Sequence, residues 1–323
     1  MFDKLLNILK EHPRKIVFTE GTDPRILAAS ARLLAGTFLT PILIGNDEEI
    51  HKVAEESFAN IRGAIIIDPE NYPEMEAMVK RMAELRKGKM TEDECRKLLK
   101  QGNYFGTMLV EMGVADCLLG GATYSTADTV RPALQLIKTK PGNKIVSSCF
   151  ILVRPSATGG DDVFAMADCA INIDPNEDEL VEIAGEAAKC AQIFGVDPKI
   201  AFLSYSTFGS GKGPAVDKMR NAAQKAKKAL PFPVEGELQF DAAVSPAVAM
   251  TKCGESTVAG YANTFIFPDI SSGNIGYKIA QRLGNFEAYG PILLGLNAPI
   301  NDLSRGCNEH EVYSMAIVTA ALA

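Results

Sequence analysis

Residues 299–311 read PINDLSRGCNEHE and stand immediately before a long apolar run at the C-terminal end of the sequence. The apolar run has the composition of a buried helix. Asn308 is a suitable N-cap for that helix, and Glu311, three positions later, completes the pattern of a capping box. The loop before the cap carries the hydroxyl of Ser304 and the guanidinium of Arg305 to the N-terminal end of the helix, where the helix dipole favours anions. This arrangement suits phosphate chemistry.

Short apolar segments alternate with longer helical patterns along the rest of the chain. Strands are predicted at residues 15–19, 41–44, 64–67, 116–119, 144–153, 169–173, 199–204, 236–242, 264–267 and 291–294. Helices are predicted at residues 25–34, 72–86, 91–100, 103–112, 177–194, 214–229 and 276–283. Strands and helices that alternate with short connections predict βαβ units, and therefore an α/β fold with a mostly parallel sheet.

The best internal boundary is the polar segment KTKPGN at residues 138–143, which contains both Pro and Gly. A chain of 323 residues is long for a single core. We therefore expect two α/β domains, and a cleft between two such domains is a favoured place for a ligand.

Composition excludes several classes of protein. The net charge of −7 and the pI of about 5.2 argue against nucleic-acid binding through a general basic surface. No apolar run of about 18 residues is present, so no membrane span is expected. The first ten residues show an amphipathic helix pattern without the apolar region and cleavage site of a signal peptide. Seven scattered cysteines without a C-x-x-C pair, and only three histidines, disfavour a metal site and indicate a reduced, cytoplasmic protein.

Four segments together resemble the phosphate acetyltransferase family. They are PINDLSRGC at 299–307, SSGNIGYK at 271–278, TEGTDPR at 19–25 and ADTVRPA at 127–133. The segments stand in the same order as in the family and extend over the whole chain. The resemblance implies two α/β/α domains with mostly parallel sheets, similar to those of isocitrate and isopropylmalate dehydrogenases, and an active site in the interdomain cleft. It also implies that the C-terminal segment returns to the first domain, which gives domains of residues 1–142 plus 297–323 and 143–296.

The signature loop, which we define as residues 303–308, provides the first substrate-binding groups. A guanidinium can meet a phosphoryl group with two parallel donors, so Arg305 is the best phosphate ligand, although a surface cap or an interdomain salt bridge would also explain it. Ser304 lacks the surroundings of a nucleophile elbow, so it is expected to donate or accept hydrogen bonds, either to substrate or within its own turn. Cys307 lacks a paired base and is expected to be a small buried residue.

The general base is predicted from the resemblance. Glu311 stands seven positions after Ser304, where family members carry an acidic residue that acts as general base. That residue is commonly Asp, so this chain has one additional methylene there. Helix capping by Glu311 remains an alternative, and Glu309 is a second possibility for the base.

Three further arginines are predicted to bind substrate. Arg131 follows the glycine pair at 120–121, and open α/β sheets bind ligands at such strand ends. Arg86 resembles the other substrate-binding arginine of the family, although a solvated basic loop is an alternative. Arg25 opens a helix and could contact a phosphate or form an ion pair within the chain.

The segment SYSTFGSGKGP at residues 204–214 has hydroxyls and glycines that can form a backbone nest for phosphate oxygens. It is not a Walker A motif, because a glycine follows its lysine where a hydroxyl residue is required. The family has its acyl-phosphate pocket near this loop, which implies that Ser206 and Thr207 bind substrate. Asn274 in the SSGNIGYK segment is a similar prediction. No G-x-G-x-x-G follows the first strand, so dinucleotide binding is not supported.

The resemblance implies an acyltransferase that interconverts acetyl phosphate and coenzyme A with acetyl-CoA and orthophosphate. We expect direct transfer in a ternary complex, with coenzyme A as a substrate, no cofactor and no metal. The expected partners are these small molecules and, by the resemblance, a second copy of the chain in a homodimer. A phosphate butyryltransferase and a non-catalytic acyl-CoA-sensing domain are the alternatives. A dehydrogenase with the related fold is weaker, because no paired-aspartate metal cluster is evident.

Overall fold

A computed structural model describes residues 2–323, and these residues form two compact units. The first unit consists of Phe2–Pro141 and Leu296–Ala323, and the second of Gly142–Gly295. Each unit contains one sheet with helices packed on it. The predicted α/β class is confirmed.

The strands are numbered along the chain: β1 (Arg14–Phe18), β2 (Leu39–Ile44), β3 (Ile65–Ile67), β4 (Cys117–Gly120), β5 (Ser147–Pro155), β6 (Asp161–Ala167), β7 (Ile200–Leu203), β8 (Val234–Leu238), β9 (Thr264–Ile266), β10 (Glu287–Leu294) and β11 (Ile300–Asp302). The helices are α1 (Phe2–Glu11), α2 (Pro24–Gly36), α3 (Asp47–Glu56), α4 (Met75–Arg86), α5 (Glu92–Leu98), α6 (Gly102–Glu111), α7 (Thr126–Pro132), α8 (Glu177–Ile193), α9 (Pro214–Ala229), α10 (Phe240–Val244), α11 (Pro246–Lys252), α12 (Ile270–Leu283) and α13 (Glu309–Ala321).

The sheet of the first unit is parallel in all its pairings and has the strand order β11-β4-β1-β2-β3. Its central strand β1 ends in the fully buried sequence Ile16, Val17 and Phe18, because helices cover both faces of a parallel sheet. Helix α13 contacts α1, α2 and β4, and it is apolar along almost its whole length because it is buried between them. The C-terminal segment therefore returns to the sheet that the N-terminal segment begins.

The sheet of the second unit has the order β10-β5-β6-β9-β7-β8. Three of its pairings are parallel, but β10 with β5 and β5 with β6 are antiparallel. Helices α8 and α9 contact the sheet and carry long runs of buried alanine. The sheets are therefore mostly parallel, as predicted. The exceptions are the two antiparallel pairings, β10 with β5 and β5 with β6, at one edge of the second sheet.

Three predicted elements of the second unit were wrong in place or type. Residues 169–173 form a turn, because the carboxylate of Asp168 accepts the backbone N–H groups of Ala170, Ile171 and Asn172 and folds the chain around itself. The strand lies just before that turn, in β6. The strand predicted at 236–242 ends at Leu238, and α10 begins two residues later.

The helix predicted at residues 276–283 begins earlier, at Ile270, because the side chain of Asp269 accepts the N–H of Ser272 as an N-cap. The SSGN segment is therefore helical. Its Gly273 permits the helix to lie directly against the backbone carbonyl of Asp168, since an added Cβ would collide with that oxygen. None of the helices that residues 2–323 form combines the length and apolarity needed to cross a bilayer.

We expect Gly273→Ala to destabilise the second unit by about 1–3 kcal/mol, because the new methyl group meets backbone atoms that cannot rotate away. Gly276→Ala in the same helix is the matched control, since its methyl group would meet only ring atoms of Phe267 at 3.1 Å. Urea denaturation followed by circular dichroism measures both. Equal stability of the two variants would contradict the close approach of α12 to Asp168.

Candidate active site

The carboxyl ends of three neighbouring strands of the first unit lie at one edge of the sheet. Strand β1 is followed by Thr19 and Glu20, β4 by Gly121, and β11 by the signature loop. The strand order changes direction between β4 and β1, and ligands of open α/β sheets bind at such a point. This edge is therefore the place at which the first unit can hold a ligand.

The signature loop presents its predicted groups to solvent. Ser304 and Arg305 are both exposed, and the hydroxyl of Ser304 accepts the N–H of Gly306 at 3.3 Å within its own turn. Within residues 2–323, the guanidinium of Arg305 forms neither a hydrogen bond nor an ion pair. A permanently charged group that is exposed and unpaired at a sheet edge is well suited to bind an anion.

Arg25 fixes the backbone of the signature loop. Its Nη1 donates to the carbonyl oxygens of Arg305 and Cys307, both at 3.0 Å, and its Nη2 donates to the carbonyl oxygen of Ala122 at 2.9 Å. The remaining donors bind the carboxylate of Asp23, with Nε–Oδ1 at 3.0 Å and Nη2–Oδ2 at 2.7 Å. All five N–H groups of this guanidinium therefore have acceptors inside the first unit.

Glu20 is a partly buried carboxyl at the point where the strand order changes. Its Oε1 accepts the backbone N–H groups of Gly121 at 3.1 Å and Thr123 at 3.0 Å, and its Oε2 accepts the hydroxyl of Thr19 at 2.7 Å. Burial raises the pKa of Glu20, and these three hydrogen bonds oppose the rise only in part. The hydroxyl of Tyr124 lies 2.7 Å from that of Thr19 and extends the network.

Arg131 and Arg86 both influence the ionisation of Tyr104, a residue that the sequence did not single out. Arg131 is largely exposed, and its nearest carboxylate is Asp128 at 3.9 Å. Arg86 has a buried Nε without a hydrogen-bond partner. Burial raises the pKa of Tyr104, and the positive charges of Arg131 and Arg86 both oppose that rise.

The two acidic residues predicted as alternatives for the base have different surroundings. Glu311 forms the predicted capping box, because it accepts the N–H of Asn308 at 2.8 Å while Asn308 accepts the N–H of Glu311 at 2.9 Å. Glu309 forms an ion pair with Arg32 at 2.6 Å. The capping box is thus confirmed, and the carboxylate of Glu311 has no cationic partner within residues 2–323.

Cys307 is buried, as predicted. Burial raises the pKa of its thiol, and the nearby charge of Arg25 opposes the rise only in part. The thiol is therefore neutral at pH 7, which is unsuitable for a nucleophile.

The loop at residues 204–214 of the second unit is held together by a buried carboxylate. Glu237 accepts the hydroxyl of Ser206 at 2.9 Å, the N–H of Gly209 at 2.6 Å and the Nε–H of Arg220 at 2.9 Å. Burial alone would raise the pKa of Glu237, but the Arg220 guanidinium and these hydrogen bonds hold it below its usual range. The backbone nest expected for a phosphate thus donates four of its N–H groups, those of Ser206, Thr207, Gly209 and Gly211, to side chains of the same unit.

The other two predicted binding residues of the second unit also form hydrogen bonds inside it. The hydroxyl of Thr207 accepts the N–H of Gln239 at 2.9 Å, and the side-chain amide of Asn274 donates to the carbonyl oxygen of Cys169 at 3.0 Å. Thr207 is buried and Ser206 is fully buried. In the part of the chain that the structure describes, no group of acidic, histidine and cysteine side chains has the arrangement of a metal site.

Comparisons with known proteins identify the family of this chain. The family described as Phosphate acetyl/butaryl transferase matches residues 1–320. A relative from Bacillus subtilis named phosphate acetyltransferase is 53% identical over 310 residues, which cover 96% of this chain and 94% of the relative. The chain belongs to the phosphate acetyl/butyryl transferase family.

Solved structures give the same result. The crystal structure of a phosphotransacetylase from Streptococcus pyogenes has a TM-score of 0.94 at 51% identity, covering 99% of this chain and 97% of that one. The EutD phosphotransacetylase from Staphylococcus aureus has a TM-score of 0.91 at 45% identity, covering 99% and 98% of the two chains. The family recognised from the four sequence segments is thus confirmed.

Sequence reasoning missed the buried carboxylates of the site. Glu20 stands in the segment TEGTDPR and Asp302 in the segment PINDLSRGC, yet neither residue was assigned a role. Apart from the adjacent Thr19, which binds Glu20, their side-chain hydrogen-bond partners are more than 100 positions away along the chain, so no local pattern indicates them. Glu20 lies two positions after the end of β1, and Asp302 is the last residue of β11. These positions at strand ends are the signal that could have drawn attention to both residues.

We expect Glu20→Gln to change how the free energy of unfolding depends on pH. Because the pKa of Glu20 is raised above the ordinary value of 4.5, the folded protein binds a proton that the unfolded chain releases, and the parent loses stability as the pH rises through this range. The variant lacks that titration, so its stability relative to the parent should increase between about pH 4 and pH 7. Urea denaturation at several pH values measures this difference.

Glu237→Gln is a control for which the expected change of stability with pH has the opposite sign. The pKa of Glu237 is lowered, so its contribution to stability is present at neutral pH and is lost as the pH falls. A difference between Glu20→Gln and the parent that stays constant across the pH series would show that Glu20 is not desolvated as described.

Proposed function

We propose that this protein is a phosphate acetyltransferase that interconverts acetyl phosphate and coenzyme A with acetyl-CoA and orthophosphate. Membership of the phosphate acetyl/butyryl transferase family supports the reaction class. The observation that carries the proposal is the unpaired, exposed guanidinium of Arg305 beside the hydroxyl of Ser304, at the carboxyl edge of the first sheet. Phosphate is the leaving group in one direction and the attacking group in the other, so a cation must hold it in both.

We assign the steps of the reaction as follows. The carboxylate of Glu311 takes the proton of the coenzyme A thiol, whose pKa resembles the value of about 8.5 for cysteine. The resulting thiolate attacks the carbonyl carbon of acetyl phosphate, and the hydroxyl of Ser304 stabilises the oxyanion that develops. The bond between that carbon and the bridging oxygen then breaks, and orthophosphate leaves with both electrons of the bond.

The leaving phosphate is assigned to Arg305, with Arg131 and Arg86 as further cations. Direct transfer in a ternary complex is favoured over an acyl-enzyme, because the thiol of Cys307 is buried and neutral. Glu311 is preferred to Glu309 as base, because Glu309 is already paired with Arg32 at 2.6 Å, whereas Glu311 accepts only a backbone N–H.

Substrate binding by Arg25, Ser206, Thr207 and Asn274 stays a prediction, as does the position of the active site in an interdomain cleft. A phosphate that binds Arg25 must replace one of the five acceptors that this guanidinium already has. We also propose that the reaction needs no cofactor, that the protein acts in the cytoplasm, and that residues 1–142 plus 297–323 and 143–296 are its domains.

The function is tested by following thioester formation from coenzyme A and acetyl phosphate without added metal. Acetyl phosphate and butyryl phosphate are compared at equal concentrations, and we expect faster turnover with acetyl phosphate. Faster turnover with butyryl phosphate would contradict the acyl preference, and binding of acetyl-CoA without turnover of either substrate would contradict the enzymatic function.

We expect Arg305→Ala to reduce turnover ~100- to 1,000-fold, which corresponds to ~2.7–4 kcal/mol of transition-state stabilisation. The matched control is Arg62→Ala, which removes an exposed guanidinium from a loop of the same unit. Steady-state kinetics with both substrates measure the effect. Turnover of Arg305→Ala within about threefold of the parent would remove Arg305 from the mechanism.

We propose further that the protein is a homodimer whose interface includes an apolar surface of the second unit. A cavity of about 850 Å³ there is lined by Phe164, Phe240, Phe265 and Ile279 among other apolar residues. Ile279 is 54% exposed, and Leu283 on the same helix is 80% exposed. Contiguous exposed apolar surface of this kind marks interaction sites in soluble proteins.

Light scattering after gel filtration should give twice the 34.7 kDa mass of one chain. We expect Ile279→Asp to shift the protein towards the single-chain mass, because it places a charge in the apolar surface. Phe58→Asp changes an almost fully exposed apolar residue of the first unit and should leave the mass unchanged. A single-chain mass for the parent would contradict the dimer.

A further inference from the structure

Asp302 is a buried carboxylate at the end of β11, and both of its oxygens bind the same helix. The side chain is 2% exposed. Its Oδ2 accepts the hydroxyl of Thr126 and its Oδ1 accepts the hydroxyl of Thr129, each at 2.6 Å. Both threonines belong to α7. One side chain thus joins the last strand of the first sheet to a helix about 175 positions earlier in the sequence.

This burial is costly and needs an explanation. Among residues 2–323, Asp302 forms no ion pair, and two neutral hydroxyls are its only hydrogen-bond partners. Burial raises its pKa, and the hydroxyls of Thr126 and Thr129 oppose the rise only in part. A carboxyl that is buried without a cation lowers stability unless its hydrogen bonds compensate. Stability of the fold is therefore not a sufficient reason for an aspartate at this position.

The two segments that Asp302 joins both carry groups assigned to substrate. Ser304 and Arg305 follow two and three positions after Asp302, and Arg131 follows two positions after Thr129 on α7. Ser304, Arg305 and Gly306 of the signature loop are exposed, and α7 has only seven residues, so neither segment is rigid by itself. The distance between Arg131 and Arg305 depends on what connects these segments.

The surroundings of Asp302 are shaped to hold its carboxylate. Gly121 has φ of +99°, and a Cβ added there would collide with the Asp302 carboxylate. The N–H of Leu303 donates to the carbonyl oxygen of Gly120 at 2.7 Å, which fixes the backbone directly after Asp302. The side-chain amide of Asn103 donates to the carbonyl oxygen of Asp128 at 2.8 Å, which fixes α7 from the other side.

We propose that Asp302 is a positioning residue for the transfer reaction: through Thr126 and Thr129 it holds α7, with Arg131, at a fixed distance from Ser304 and Arg305. The role rests on the proposed function, because it explains how cations from two segments meet one phosphate. Loss of the connection leaves every substrate-binding group in the chain but lets the two segments move apart. A displacement of about 1 Å between groups that act on one substrate can reduce turnover about 100-fold.

A direct role of Asp302 as proton acceptor is a different hypothesis, and it predicts a different dependence of kcat/KM on pH. Both oxygens are occupied by hydroxyls at 2.6 Å and the side chain is buried, so a thiol has no access to them. If Asp302 accepted the proton, its replacement would remove the acidic limb of the profile of kcat/KM against pH. A positioning role lowers the whole profile and leaves its shape unchanged.

The central variant is Asp302→Asn, which keeps the size of the side chain but turns an N–H₂ group towards one of the hydroxyls. We expect kcat to fall ~10- to 100-fold with an unchanged pH profile. Thr126→Val removes one of the two hydrogen bonds and should have a smaller effect in the same direction. The double variant Asp302→Asn/Thr126→Val should lose little more activity than Asp302→Asn, because both changes break one connection.

Asp116→Asn is the matched control. Asp116 accepts the N–H of Lys15 at 2.7 Å just before β4, at the opposite edge of the same sheet, so the same chemical change is made far from the site. Its kcat should equal that of the parent. If Asp302→Asn fails to fold, Thr126→Val and Thr129→Val carry the kinetic test.

Hydrogen exchange supplies a measurement that does not depend on activity. In Asp302→Asn, peptides covering residues 126–132 and 303–307 should both exchange faster than in the parent, and in Asp116→Asn they should not. Absence of turnover in the parent contradicts the proposed function, while exchange still tests the connection. The positioning role is wrong if Asp302→Asn keeps kcat within about threefold, if it loses the acidic limb, or if exchange rises in neither segment.

Discussion

The pairing of β11 with β4 is the interaction on which the candidate site depends. It is a short parallel pairing of three residues, Ile300 with Leu118, Asn301 with Leu119 and Asp302 with Gly120. It brings residues from the end of the chain beside a strand that pairs with β1, near its beginning. Three strand ends from distant parts of the sequence therefore share one edge, and Glu20, Asp302 and Arg305 lie at or directly after these strand ends.

A pairing of three residues is weak by itself, and several contacts on both sides support it. Ile300 is fully buried, and α13 immediately after the loop is buried along most of its length. The burial of each large apolar side chain contributes about 1.5–3 kcal/mol, so the helix and not the strand hydrogen bonds provides most of the free energy. The guanidinium of Arg25 then fixes the loop between strand and helix by binding its backbone carbonyls. Packing sets the position of the loop, and charged hydrogen bonds set its conformation.

Local features of the sequence were sufficient for part of this description. The capping box of α13 was predicted because both of its hydrogen bonds join residues three positions apart, and the structure contains both. The α/β class followed from the spacing of apolar segments. The segments common to the family identified the reaction class without any knowledge of which residues are in contact.

The remaining features depend on contacts between distant residues. The antiparallel strands β5, β6 and β10 of the second sheet were predicted in part only, because strand direction is decided by pairing and not by composition. Residues 169–173 are apolar enough for a strand, but one buried carboxylate turns the chain there. Glu20 is partly buried and Asp302 and Glu237 are buried, and the roles of these acids follow from their partners. A buried acid looks the same as an exposed one in a sequence.

The arrangement of charge explains why one arginine of the first unit is suited to an anion in a protein of net charge −7. Arg25 has all its donors occupied, and Arg32 is paired with Glu309. Near the carboxyl edge of the first sheet, Asp302 is buried and Glu20 is partly buried, and the carboxyl groups of both form hydrogen bonds with groups of the first unit. Arg305 is left exposed and without a carboxylate partner within residues 2–323, so its charge is neutralised only when an anionic ligand binds.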